Sequence, residues 1–191
     1  MNAKRCEAGL RRLLLLGSFL LASACSYVVI PDEAPALEES MELQLHGATV
    51  ALLNAEPDDA DFLIYASSRH GSFSGSRRKW CDALAAALSS ELTRRGATVS
   101  ADAANRLRLA IPEITGHSGW ATVGFKVKAV VTGADGWTKS YEGSASAAAG
   151  MTMGGIASRS AAFAIAEIVK AMLADPEFVA KLAVRDATRP R

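Results

Sequence analysis

The sequence predicts an α+β fold: a mostly antiparallel sheet of about four to five strands with two main helices. Three observations predict it. Trp80, Leu84, Leu88 and Leu92 recur every four residues, the spacing of a helix with one buried stripe. Leu107, Leu109 and Ile111, and further on Val123, Phe125, Val127, Ala129 and Val131, alternate with polar or small residues. That is the period of a strand with one face wet. Ala134-Asp135-Gly136 then stands where a hairpin turn is needed, before a returning strand.

The chain begins with a basic stretch holding Lys4, Arg5, Arg11 and Arg12, followed by an apolar or small run from Leu13 to Ala24. That run is about twelve residues, and a membrane-spanning helix needs roughly twenty. Its length suits the apolar region of a secretory signal. Leu21-Ala22-Ser23-Ala24-Cys25 resembles the lipobox of bacterial lipoproteins. The resemblance implies that Cys25 receives a diacylglycerol, that cleavage precedes it, and that the new amine is acylated. Ser26 in place of Asp implies sorting to the outer membrane. Residues 1–24 are thus expected to be a signal peptide, 25–44 a lipidated flexible tether, 45–187 a single periplasmic domain, and 188–191 a frayed tail. The tether reading rests on Pro31, Pro35 and a run of acidic residues.

Leu45–Asn54 reads as a buried first strand and Leu63–Ser68 as a short second one. Arg69–Lys79 is rich in Gly, Ser and basic residues and reads as a mobile loop. Trp80–Arg95 is the clearest helix. Ser76 suits its N-cap, Arg95 its last turn, and Gly96 its stop. Ala97–Ala101 is a short strand signal. Arg106–Thr115 alternates until Pro112, which points to an edge or a bulge. The hairpin around 134–136 follows, with Lys126, Lys128 and Lys139 assigned to its wet face. Gly150–Gly155 reads as a connection, Arg159–Leu173 as the second helix, and Asp175-Pro176 as the start of a short last one.

The 191 residues carry 21 Lys and Arg against 20 Asp and Glu. Removing residues 1–24 leaves 17 against 19 in 167 residues, a net charge of −2. That length supports one domain with a sizeable core, and the balance argues against nucleic acid as a partner. Of three cysteines, Cys6 leaves with the leader and Cys25 is the lipidation candidate. Cys81 is left, on the apolar side of the helix, and reads as a small buried hydrophobe.

No motif identifies a reaction. Gly116-His117-Ser118-Gly119-Trp120 has the start of a hydrolase elbow, but Trp120 stands where the second glycine belongs and strands lie on both sides. His46, His70 and His117 are scattered without metal-ligand spacing. Gly150–Gly155 lacks the Lys-Ser/Thr ending of a phosphate loop, and Asp58–Asp61 lacks the periodicity of a calcium loop. No catalytic, cofactor-binding or metal set emerges. Arg77, Arg78 and Lys79 are the candidate contact for an anionic partner, such as lipid phosphate or a cell-wall polymer. Three cations at a helix N-terminus oppose its dipole.

Several segments carry a wider resemblance: Trp80–Val99, Arg106–Gly116, the hairpin Val123–Ala147 and Ala164–Leu182. With Cys25, the chain resembles the YajG-like family of bacterial outer-membrane lipoproteins. The resemblance implies two main helices packed on one face of the sheet. It carries over no catalytic residue, because that family's function is undetermined. The expectation is a lipid-anchored, non-catalytic binding or scaffolding module facing the periplasm, held to the membrane through Cys25. An envelope protein or cell-wall polymer is the candidate partner. The alternatives are an auxiliary lipoprotein of an envelope transporter and, behind it, an envelope enzyme.

Overall fold

The computed structural model describes residues 25–37, 43–67, 71–120, 122–148 and 152–183. The expected signal peptide at 1–24, the expected tail at 188–191, Arg69 and His70 lie outside the described residues.

The strands are β1 (Ser26–Val28), β2 (Thr49–Asn54), β3 (Asp61–Ser67), β4 (Gly71–Ser76), β5 (Thr98–Val99), β6 (Arg106–Ser118), β7 (Thr122–Gly133) and β8 (Thr138–Ala148). The helices are α1 (Arg77–Arg94), α2 (Met153–Ala174) and α3 (Pro176–Leu182). The fold is α+β, with two sheets rather than one. The larger has the order β5-β2-β6-β7-β8 and the smaller β1-β4-β3. The long pairings β6–β7, β7–β8 and β3–β4 are antiparallel. The short ones, β1–β4, β2–β5 and β2–β6, are parallel.

Alternation places one face of the large sheet in the core. Leu107, Leu109, Val123, Phe125, Val127, Ala129 and Val131 are buried, while Lys126 on the neighbouring position is exposed. Pro112 falls in the irregularity between Ala110 and Glu113, where β6 shifts register against β7. A bulge leaves one amide outside the ladder, which suits a residue with none to donate.

α1 buries Trp80, Leu84, Leu88 and Leu92 completely. Ser76 caps it by accepting from Lys79 N at 3.3 Å, and Gly96 ends it at φ +88°. α2 starts at Met153, six residues before the Arg159 expected from sequence. Thr152 caps it by accepting from Gly155 N, so Gly154 and Gly155 lie in its first turn rather than in a connection. α2 lies against β8, and Gly143 permits the approach. A Cβ there would sit 2.1 Å from the carbonyl oxygen of Ala164 and 2.7 Å from Ile168 Cγ1.

Three further expectations are corrected. The basic Gly/Ser stretch is not all loop: Gly71–Ser76 is β4, the central strand of the small sheet, because small residues let its neighbours close in. Residues 25–37 are not a free tether. β1 pairs in parallel with β4, Val29 is 1% exposed, and Asp32 N donates to Ser158 O. Apolar residues at alternate positions, Tyr27 and Val29, supply the burial that holds this segment down.

Lys139 is not on the wet face with Lys126 and Lys128. It pairs across strands with Val131 on the helix-covered face. There it bridges Asp175 and Glu177, each at 2.8 Å. Tyr141 donates to Asp175, and Trp137 Nε1 donates to Glu177 at 2.7 Å. Hydrogen bonds from Lys139 and Tyr141 outweigh the burial of Asp175 and hold its carboxyl below the usual range. These bonds seat α3 on β8, with Phe178 fully buried beneath them.

Replacing Gly143 by Ala tests the helix–sheet approach. Overpacking against backbone should cost roughly 2–3 kcal/mol. The denaturant midpoint is expected to fall with an unchanged slope. A midpoint equal to wild type would mean that α2 does not sit as closely as the structure places it.

Candidate functional site

Cys25 is the one candidate anchor residue among the described positions, and it is exposed. Its backbone is held in place. Cys25 O accepts from Ser72 N at 2.9 Å. A Cβ on Gly71 would lie 2.0 Å from that oxygen, and Gly71 itself sits at φ +81°. Glycine is therefore required at this point for two reasons, space and backbone conformation.

From Cys25 the chain crosses the end of α1. Trp80 Nε1 donates to Val29 O at 3.2 Å. Pro31 to Leu37 then runs as a strap along α1 and α2. Its end is clamped on both backbone groups. Leu37 N donates to Glu91 Oε1 at 2.9 Å, and Arg94 Nη2 donates to Leu37 O at 2.9 Å. Glu91 Oε2 also pairs with Arg94 at 2.7 Å and with Arg95 at 3.4 Å. Glu91 and Arg95 are each 5% exposed. Burial pushes the Glu91 carboxyl up, but the hydrogen bonds from Arg94 and Leu37 and the two guanidinium charges outweigh it. Its pKa therefore sits below the usual glutamate value.

Between strap and helices lies a cavity of about 390 Å³, lined by Ala83, Ala87, Ser90, Ala166 and Val169 among others. Six alanines contribute to its wall. Both oxygens of Glu91, its buried carboxylate, are engaged by the clamp. Asp32, Glu33 and Ser90 also line the cavity.

The basic cluster lies at the other end of β4. Five residue steps lead from Gly71 to Ser76, so the basic cluster starts roughly 17 Å from the Cys25 corner. The Arg77 guanidinium stands 5.0 Å over the Phe62 ring. Lys79 reaches Asp59 at 3.7 Å. Ser76 Oγ donates to Asp59 at 2.6 Å. That bond, with the nearby Lys79 and Arg78 charges, holds the Asp59 carboxyl low. Arg78 is exposed. The structure gives two of the three cations partners within the chain, which sequence reasoning missed. Asp59 and Phe62 are far enough upstream to carry no periodic signal toward the helix.

The other candidates are accounted for locally. Cys81 is fully buried and its thiol lies 3.1 Å from Leu109 O. Burial pushes its pKa up to about 12, which suppresses the reactive thiolate. Ser118 ends β6 and shares a 3.0 Å hydrogen bond with Tyr65. No helix follows it, so the elbow geometry is not formed. His46 packs beside Gly96, and His117 Nε2 meets Ser146 Oγ at 3.0 Å. Among the described residues, no group of three or more His, Cys, Asp or Glu is placed to hold a metal.

No protein-family model matches the chain, and no curated protein matches it. A solved structure of another protein is similar. It is a Xanthomonas campestris protein described under the family model DUF330, with a TM-score of 0.47 and 10% identity. The similarity covers 78% of this chain and 91% of that one. At that identity and score the likeness gives no support specific to the YajG-like family and none for an activity.

The Glu91 clamp has a pH signature. A carboxyl whose folded pKa is depressed contributes stability above its unfolded value, about 4.3. It loses that contribution as pH falls through the lower folded value. Hydrogen exchange at the Leu37 amide, corrected for intrinsic rate, should therefore accelerate below about pH 4. Glu91→Gln should produce the same loosening at neutral pH. It should also destabilise the fold by on the order of 2 kcal/mol, less than for a fully buried pair because Arg94 is 36% exposed. Equal protection of Leu37 in variant and wild type would remove Glu91 from this role.

Proposed function

We propose that the chain is an envelope lipoprotein, anchored by acyl chains on Cys25 to the outer membrane and facing the periplasm. It acts there as a non-catalytic binding or scaffolding module. The observation that carries this reading is the lipobox-like end of the leader, Leu21–Cys25. Its cysteine is exposed. The likeness to YajG-like lipoproteins in the segments named above agrees with it. No helix among the described residues is long and apolar enough to cross a membrane. One acyl chain holds a protein marginally, and several hold it stably.

Cys25→Ala is expected to abolish acyl labelling and to move the protein into the soluble fraction. Unchanged membrane fractionation would sink the anchoring reading.

For the binding role, the exposed Arg78 and the adjacent Arg77 and Lys79 form the anionic-partner contact, aimed at an envelope protein or cell-wall polymer. Changing all three to Ser should weaken capture of a crosslinked envelope partner and flatten its salt dependence. Stability should shift more than for three bare surface changes. Loss of the Phe62 and Asp59 contacts is expected to lower the denaturant midpoint slightly. Undiminished capture at low salt would rule this contact out.

A further inference from the structure

The small sheet has two unlike faces. Inward, Tyr27, Phe73 and Tyr65 pair across the three strands. Their rings stack at 5.5 and 6.4 Å and cover Phe125. Outward, Val28, Ser74 and Leu63 form the matching row. Ser26, Ser72 and Ala66 form the row nearest Cys25. Ile30 continues the alternation two residues past Val28. Val28 is 53% exposed, Ile30 51% and Leu63 63%. These are three of the four large exposed apolar side chains of the described fold, and they lie on one face. The fourth, Trp120, sits at the β6–β7 tip.

We propose that this outer face, Val28, Ile30 and Leu63, lies against the lipid bilayer that holds Cys25, an inference that rests on the anchoring reading. Three features favour the bilayer over a protein. The first is position. Cys25 is bonded to Ser72, so its acyl chains would enter the membrane at the edge of this face, with no slack chain between. The second is charge. The two rows nearest Cys25 hold only Ser, Ala, Val and Leu. Asp61, paired with Ser76, opens the next row about 7 Å beyond Leu63, so the uncharged patch ends there. The third is size. Three strands and about four residues of length make a face on the order of 200–300 Å². A stable protein interface takes about 800 Å² per partner. A face this small docks usefully only when something else holds it near its target, and the acyl anchor does that by raising the effective concentration.

Leu63→Cys tests the proposal. In the acylated protein Cys25 is a thioether and Cys81 is buried, so position 63 carries the reactive thiol. The acylated chain is placed in phosphatidylethanolamine–phosphatidylglycerol vesicles and labelled there with an environment-sensitive dye. Emission at position 63 should shift to the blue and be quenched several-fold more by nitroxide-bearing lipids than the same dye at Thr115→Cys. Thr115 is exposed on the opposite, wet face of the large sheet. Iodide in solution should show the reverse order. Adding Val28→Ser and Ile30→Ser should erase the difference while the protein stays acylated and folded. An acylated chain whose position 63 is as open to iodide as position 115 overturns this inference and leaves the anchoring reading standing. A dye shielded from iodide but untouched by lipid nitroxides overturns it in favour of a protein partner. A mature chain whose intact mass lacks the acyl groups sinks the anchoring reading and this inference with it.

Discussion

Trp80 has no solvent exposure, so its indole N–H must find an acceptor inside the protein. The acceptor is the carbonyl of Val29. The same ring meets Phe125 edge to face, at 5.4 Å and 75°. It also leaves no room for a side chain on Gly75, where a Cβ would lie 3.0 Å from Nε1. One side chain thus joins the first helix, the large sheet, the small sheet and the N-terminal strand. The bond to Val29 has the widest consequence. It draws the start of the chain into the fold, and with it Cys25.

Once Val29 is drawn in, the geometry of the N-terminal half follows. β1 pairs with β4, its inward residues Tyr27 and Val29 join the core, and its outward residues are left to solvent. β4 then has two chemically different ends. At one, Gly71 meets the backbone of Cys25. At the other, Ser76 caps α1 and Arg77, Arg78 and Lys79 begin it. An apolar, uncharged corner is separated from a basic one by the length of a single strand. If the outer face of the small sheet lies on the membrane that holds Cys25, β4 runs along that membrane, and the basic corner stands roughly 17 Å from the anchor at the edge of the same face.

The parts legible in the sequence are those set by local periodicity. The Trp80–Leu92 stripe, the Ser76 cap, the Gly96 stop and the alternation of Val123–Val131 each announce themselves within a few residues. Pro112 announced a break and the ladder breaks there. What stayed illegible depends on partners distant in the chain. Glu91 and Arg95 look like ordinary solvated helix residues, yet they are buried because Leu37, 54 residues before Glu91, brings its backbone to them. Gly71–Ser76 has the composition of a loop. Its glycines are instead where Cys25 and Trp80 come too close for any side chain. Lys139 was misplaced because register, not sequence, decides that it faces Val131. The outward row of Val28, Ile30 and Leu63 was invisible for a related reason. Its members come from two separate strands, one of them read as a tether.

A docked N-terminal segment also limits what the module can reach. A relaxed chain of twenty residues would let the domain stand roughly 20–25 Å off its anchor. Docked, residues 25–37 give no such stand-off. Freeing them means breaking the β1–β4 pairing, exposing Val29 and Tyr27, leaving the Trp80 indole without its acceptor, and opening the Glu91–Leu37 clamp. Each of these losses costs about 1 kcal/mol or more, so under the anchoring reading the docked state prevails at neutral pH. A partner must then lie within the height of the domain itself, or in the same membrane. A domain of about 160 residues has a radius of gyration near 15 Å, so that height is on the order of 40 Å. The Glu91 carboxylate is a link that acid weakens, but it holds Leu37, at the far end of the strap; the β1–β4 pairing and the Trp80–Val29 bond lie nearer Cys25 and stay, so acid alone leaves the anchor docked.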